Sequence, residues 1–124
     1  MADWRAFCQS AKDLLLGTDW IDVSKDDGRK HRIYVQDSGD NYSLSGIVVS
    51  RSVVDAMHEP DRRVWQRNRA MQLIGFRVNS KSQIVGEALV PKAGLTREEF
   101  LLYLRRVAIE CDQLEYQLTG KDDE

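Results

Sequence analysis

The side chains that most often carry chemistry in proteins are few in this sequence, and they lie far apart. His31 and His58 are the only histidines, and neither has the i,i+4 histidine partner or the cysteine pair that a zinc site needs. We therefore predict ordinary surface or edge histidines without a metal role. Cys8 and Cys111 form no C-x-x-C motif and have no histidine or lysine beside them to lower a thiol pKa, so we predict that both pack in the core.

A group of aspartates around two predicted turns is the remaining candidate for a metal site: Asp22, Asp26, Asp27, Asp37 and Asp40. A calcium loop would need the D-x-D-x-D-G spacing with a downstream glutamate, and the sequence lacks it. These aspartates are therefore interpreted as solvated turn residues. No combination of acid, base and nucleophile is visible either. The sequence predicts no catalytic residue, no cofactor and no metal, and hence a protein that is not an enzyme.

A second feature with possible chemistry is the basic segment, residues 62–69, in which four arginines surround one tryptophan. The interpretation we favour is a solvated helix whose arginines pair with the acidic residues just before it, while Trp65 lies in the core. The alternative is a contact with an anion, an acidic peptide or a nucleic acid. The candidate anion-binding residues are Arg62, Arg63, Arg67 and Arg69.

The composition is that of one soluble globular domain. The chain has 124 residues, of which 42% are hydrophobic and 31% charged, and its net charge of −2 gives no general attraction to nucleic acid or anionic membranes. No apolar run is long enough to cross a bilayer, and residues 1–5 do not begin a secretory signal. We expect a cytoplasmic protein with a single domain over residues 1–120 and a disordered acidic tail over residues 121–124.

The elements that must position these residues are clearest at the end of the sequence, where a helix is predicted from Thr96 to Gly120. Thr96 and Glu99 form a T-x-x-E capping box, and Gly120 suits the position just past the helix end. Apolar residues at alternating four- and three-residue steps then define the core stripe: Phe100, Leu104, Val107, Cys111, Leu114 and Leu118.

The same helix carries a second apolar set about 180° away, which we call the outer stripe: Leu102, Ile109 and Tyr116. Charged residues such as Arg105 and Glu110 separate the two stripes. The outer stripe is interpreted either as an interface with another chain or as a local packing surface under a loop.

The rest of the sequence predicts an antiparallel sheet preceded by a helix. The first helix is expected over 3–16 and ends at Gly17, while residues 51–57 could prolong a strand or begin a helix. A short helix is expected over 60–68. The predicted strands cover residues 20–23, 29–36, 42–50, 71–78 and 84–90. The predicted fold is therefore α+β, a two-layer sandwich of about five antiparallel strands in the order α-β-β-β-α-β-β-α.

Four segments of the second half resemble the YbjN family: residues 69–78, 84–91, 94–100 and 107–115. That family, together with several cyanobacterial families of unknown function, is similar in fold to the chaperones of type III secretion. The resemblance implies a small homodimeric protein-binding fold with no known catalysis and no cofactor. The basic segment departs from a clean match.

The resulting hypothesis is a non-enzymatic, cytoplasmic module that binds another protein and forms a homodimer. It would display apolar surface that captures an extended segment by strand addition or a helix in a groove. The alternative is a small nucleic-acid or anionic-ligand binder that uses the basic segment. A membrane partner is not expected, and a nucleic-acid partner is not favoured.

Overall fold

The computed structural model of the chain describes residues 3–25, 28–62, 64 and 74–119. We number in chain order the helices and strands whose bounds lie within these residues. The helices are α1 (Trp4–Phe7), α2 (Arg51–Ala56) and α3 (Arg97–Thr119). The strands are β1 (Leu14–Leu16), β2 (Trp20–Ser24), β3 (Lys30–Asp37), β4 (Asn41–Val49), β5 (Gly75–Val78) and β6 (Ile84–Pro91).

The strands form one antiparallel sheet in the spatial order β1-β2-β3-β4-β6-β5. Helix α3 packs across β3, β4 and β6 on one face of this sheet. The alternation of β3 shows how the sequence selects that face, because His31, Ile33 and Val35 are buried while the residues between them are exposed. The predicted α+β fold with an antiparallel sheet and a long C-terminal helix is confirmed.

The predicted capping box begins α3. The Glu99 backbone N–H donates to the Thr96 hydroxyl at 3.2 Å, and the Thr96 backbone N–H donates to the Glu99 carboxylate at 3.3 Å. The core stripe faces the sheet as predicted: Phe100, Leu104, Val107, Cys111 and Leu114 are buried, and Leu118 is partly buried against the core. Gly120 lies outside the described residues.

Helix α3 and the sheet approach each other closely at a pair of glycines. Gly46 on β4 and Gly86 on β6 lie opposite each other in the register, and the Cys111 thiol occupies the space above them. A Cβ atom at Gly86 would lie 2.5 Å from the Cys111 sulfur, and one at Gly46 would lie 3.2 Å from it. Burial raises the pKa of the Cys111 thiol to about 12 and that of Cys8 to about 11. Both cysteines therefore pack in the core, as predicted.

The predicted first helix over residues 3–16 is wrong. Helix α1 ends at Phe7, and Ser10 follows with a φ of 68°, a left-handed conformation that a continuing helix cannot accommodate. Leu14–Leu16 instead forms strand β1, so the sheet has one strand more than the five that the sequence predicted. The Gly17 backbone N–H donates to the Trp20 carbonyl at 2.8 Å and closes a hairpin between β1 and β2. The glycine thus serves a turn between two strands and does not end a helix.

The middle of the chain contains two further findings. The sequence allowed residues 51–57 either to prolong a strand or to begin a helix. The helix is correct, since α2 covers Arg51–Ala56. Residues 60–62 and 64 of the predicted short helix are helical, and the remainder of that helix lies outside the described residues. The strand predicted over 71–78 is described only from residue 74 and begins at Gly75. Residues 121–124, predicted as a disordered tail, also lie outside the described part.

Candidate functional site

The outer stripe is the most exposed apolar part of α3. Leu102 is 52% exposed, Ile109 39% and Tyr116 54%, although the opposite face of the same helix is almost completely buried. In the part of the chain that the structure describes, no loop covers these three side chains, which disfavours the reading as a local packing surface under a loop. The stripe offers an apolar surface that another chain could contact.

A groove of about 430 Å³ lies beside the N-terminal half of the outer stripe. Two parallel rows of residues, each at four-residue steps along α3, make its walls. The lining residues are Arg97, Glu98, Leu101, Leu102, Arg105, Arg106 and Ile109. We call this feature the α3 groove.

The arginines of the α3 groove already have partners. Arg97 donates to the backbone carbonyls of Phe7 and Gln9 at 3.0 and 3.2 Å, and Arg105 donates to both carboxylate oxygens of Asp13 at 3.0 Å. The hydrogen bonds from Arg105 hold the pKa of Asp13 below its ordinary value. These contacts tie α3 to the N-terminal segment. Arg106 pairs with Glu110 at 2.9 Å, and Glu98 adds a negative charge to the lining. The groove therefore has little uncompensated positive charge, which disfavours an anion as its ligand.

Strand β1 forms one edge of the described sheet and provides a second candidate surface. The Ser24 N–H donates to the Asp13 carbonyl at 2.8 Å, and the Gly17 N–H donates to the Trp20 carbonyl at 2.8 Å. Hydrogen-bonded pairs alternate along an antiparallel ladder, so Leu15 with Asp22 is the hydrogen-bonded pair between these two, and Leu16 belongs to a non-hydrogen-bonded pair. The backbone N–H and carbonyl of Leu16 consequently point away from β2. An open edge of this kind, next to exposed leucine side chains at 15 and 16, can accept an added strand.

A buried cluster of charged and titratable groups lies where α3 meets β3, and the sequence did not reveal it. His31, predicted as a surface or edge histidine, is buried, and its Nε2 lies 3.1 Å from the carbonyl oxygen of Ile47. Because a carbonyl can only accept, that nitrogen carries the hydrogen. Asp112 and Glu115 of α3 are buried beside it, and one potential ligand atom from each of the three residues lies within 4.8 Å of the others.

This cluster could supply metal ligands by residue type, but its charge balance favours an ion-pair network. The Asp112 carboxylate accepts hydrogen bonds from the ammonium of Lys25 and, at 3.4 Å, from the guanidinium of Arg29. A divalent cation bound to this carboxylate would therefore lie next to two positive side chains. The network instead fixes α3 to the turn between β2 and β3, which is a structural role.

Of the aspartates interpreted as turn residues, one is buried within a strand and another is exposed at the end of a strand. Asp22 is not a solvated turn residue: it lies in β2, is buried, and accepts two hydrogen bonds from Arg32 at 2.8 and 3.1 Å. Asp37 lies at the end of β3 and pairs with Lys92 at 2.6 Å, an interaction that lowers its pKa. Their carboxylates serve pairs within the chain, and Asp26 and Asp27 lie outside the described residues.

Of the candidate anion-binding residues, the structure describes only Arg62. Its guanidinium lies 3.4 Å from the carboxylate of Glu59, and both side chains are exposed. The favoured interpretation of the basic segment was a solvated helix whose arginines pair with the preceding acidic residues, and the pair of Arg62 with Glu59 agrees with it. Arg63, Arg67 and Arg69 lie outside the described residues, so their role stays a prediction.

Comparison with known proteins finds a similar fold among solved structures. No protein-family model matches the chain, and no curated protein matches it. The solved structure of the ExsC–ExsE complex is similar over 78% of this chain and 74% of the other, with a TM-score of 0.57 and 18% sequence identity.

At this identity the similarity concerns the fold alone. The chain thus has the fold of a protein in that complex, whereas membership of the YbjN family and the relation to type III secretion chaperones stay predictions. Among the described residues, no helix has the length and apolar character needed to cross a membrane.

Proposed function

We propose that this chain is a non-enzymatic protein-binding module with a chaperone-like role, that it acts as a homodimer, and that it works in the cytoplasm. The observation that carries the proposal is the outer stripe. The core face of α3 is almost completely buried, so three large apolar side chains on its opposite face are best explained if that face also meets a partner.

The structural comparison adds support for a protein partner. The similar solved structure is a complex of two proteins, so a fold of this kind is compatible with binding another chain.

The proposal assigns dimerisation and partner binding to two different surfaces. The outer stripe would close the homodimer, and the open edge of β1 would capture an extended partner segment by strand addition. In strand addition the backbone hydrogen bonds give affinity, while the exposed Leu15 and Leu16 would select apolar side chains on the partner.

The edge of β1 is tested by co-purification of a tagged protein with quantitative mass spectrometry. We expect Leu16→Pro to lose the co-purified partner, because proline removes the outward-pointing N–H without affecting the ladder to β2. Leu89→Ser is the matched control, since Leu89 is an exposed leucine on a strand away from this edge. Recovery of the same partner with folded Leu16→Pro would refute capture at β1, and the absence of any stoichiometric partner with wild-type protein would refute the binding function.

The homodimer is tested separately by sedimentation. Wild-type protein should sediment as a dimer at tens of micromolar, and Ile109→Asp should be monomeric while keeping the circular dichroism spectrum of the folded protein. The reason is that each interface would bury an unpaired carboxylate from both copies. A dimer that withstands Ile109→Asp would place the interface elsewhere.

A further inference from the structure

Strand β1 is attached to the sheet by hydrogen bonds more than by apolar burial. It belongs to what we define as the N-terminal segment, residues 3–16, which contains α1 and β1. β1 lies at one edge of the described sheet, where it pairs with β2. Leu15 and Leu16 are 55% and 37% exposed, so their burial contributes little of the free energy that holds this strand in place.

Two arginines of α3 supply a polar attachment for the rest of the N-terminal segment. Arg97 donates to the backbone carbonyls of Phe7 and Gln9. Arg105 donates to both carboxylate oxygens of Asp13. The two arginines are eight residues apart, which is about 12 Å along the helix axis, so they hold the segment at two separate points.

These attachments are linked to the pairing of β1 with β2. The backbone carbonyl of Asp13 accepts the Ser24 N–H at 2.8 Å, so the residue that Arg105 holds also makes a hydrogen bond at the start of the ladder. Ser10, between the two points of attachment, has a φ of 68°, a left-handed conformation that a residue with a Cβ atom disfavours. Release of the arginine contacts would therefore free the end of β1 and let Ser10 relax at the same time.

The apolar contacts of the N-terminal segment come from α1 and the residue after it. Trp4 and Cys8 are buried, and the ring of Phe7 stacks on that of Phe100 with a centroid distance of 5.4 Å. These contacts favour the closed arrangement. Because Cys8 is buried among them and burial raises its pKa to about 11, its thiol reacts slowly until the segment leaves α3.

We propose that the N-terminal segment opens as a unit while the rest of the described fold stays intact, and that Arg97 and Arg105 keep it closed. Opening exposes the edge of β2 and the Cys8 thiol, and it removes the edge of β1 at which partner capture is proposed. Cys111 lies between α3 and the sheet, so its thiol stays protected until the whole protein unfolds. The inference concerns the isolated chain, so its test needs no partner and is independent of the test of capture.

Alkylation of the two native cysteines by a low concentration of iodoacetamide, followed by mass spectrometry, tests the opening. Under these conditions each initial rate is proportional to the population in which that thiol is exposed. In wild-type protein Cys8 should react faster than Cys111 by a factor of about ten or more. Equal rates would show that the N-terminal segment opens only when the whole protein unfolds, and they would refute the proposal.

The role of the two arginines is tested with Arg105→Gln, which removes the partly exposed ion pair with Asp13. The initial rate at Cys8 should rise about two- to five-fold, and addition of Arg97→Gln should raise it further. Arg77→Gln is the matched control, because it removes an ion pair between β5 and β6, at the opposite side of the sheet, and should leave the rate at Cys8 unchanged. An unchanged rate in the double variant would refute the role of the arginines.

A core substitution outside the N-terminal segment separates local opening from global unfolding. Ile84 is fully buried on β6, and Ile84→Val should accelerate alkylation of Cys111 by about two- to twelve-fold. The rate at Cys8 should stay the same, because the open form keeps the contacts of residue 84. Equal acceleration at both cysteines would again mean that the segment does not open by itself. Circular dichroism confirms that each variant is folded before its rates are compared.

Discussion

Replacement of Gly86 by alanine should destabilise the protein because the packing of α3 on the sheet leaves no room for a Cβ atom at this residue. The added Cβ would lie 2.5 Å from the Cys111 sulfur and 2.8 Å from a ring carbon of Phe76, both well inside van der Waals contact. Overpacking of a core typically costs about 1–3 kcal/mol, which outweighs the roughly 0.5–1 kcal/mol that alanine gains over glycine through the unfolded chain. We expect a net loss of about 1–2 kcal/mol.

The measurement is equilibrium unfolding in urea, with Gly75→Ala as the matched control. Gly75 is also a strand glycine, but a Cβ there would meet nothing within 4 Å, so Gly75→Ala should be neutral or stabilise the protein by up to about 1 kcal/mol. Because Cys111 supplies the nearest atom, Gly86→Ala should cost less in a Cys111→Ala background, with a coupling energy of about 1 kcal/mol. A neutral Gly86→Ala, or an equal cost in both backgrounds, would refute the packing argument.

Three further predictions test the core, the N-terminal attachment and the basic segment. Leu104→Ala should destabilise the protein by roughly 2–5 kcal/mol in urea unfolding, because Leu104 is fully buried in the core stripe; a change below about 0.5 kcal/mol would contradict that burial. Arg105→Gln should cost less than about 1 kcal/mol at pH 7, because the pair with Asp13 is partly exposed. Because the pKa of Asp13 is lowered in the folded protein, the difference in unfolding free energy between wild-type protein and Arg105→Gln should be present above the ordinary aspartate pKa of about 4 and should disappear as Asp13 becomes protonated in acid. A difference in unfolding free energy that persists in acid would point to another cause. Wild-type protein should not bind a single-stranded oligonucleotide at physiological salt in a fluorescence anisotropy titration, and micromolar binding that weakens steeply with added salt would instead support the alternative function of the basic segment.

Long, strongly patterned segments were predictable from the sequence. The T-x-x-E motif at Thr96 and the seven-residue repeats that follow predicted both the start of α3 and its two apolar faces, because they depend only on local helix geometry. The strand alternation around Ile33 was predictable for the same reason. Local periodicity was therefore sufficient for the fold class and for the outer stripe.

The N-terminal segment shows where local periodicity is ambiguous. Three consecutive leucines from Leu14 fit a helix stripe or a short strand equally well, and only pairing with β2 decides between them. Gly17 followed by two polar residues and Trp20 is also a hairpin signal, and it could have favoured the strand.

The buried cluster shows a different limit, which is distance along the chain. Lys25 and Asp112 are 87 residues apart in sequence, and nothing local in either segment indicates that they meet. His31 likewise belongs to a strand whose other inward residues are apolar, and the polar groups that surround it come from α3 and β4. Interactions of this kind become visible only when the topology is known.

The position of α3 in the chain has a consequence for synthesis. This helix covers the apolar face of the sheet, yet it follows every strand in sequence, so a ribosome completes all six strands before their cover is made. Until then Ile33, Leu44 and their neighbours lack the long helix that packs across them, and contacts as distant as that of Lys25 with Asp112 cannot form. The nascent chain should therefore fold slowly and should be most prone to aggregation in the interval before α3 emerges.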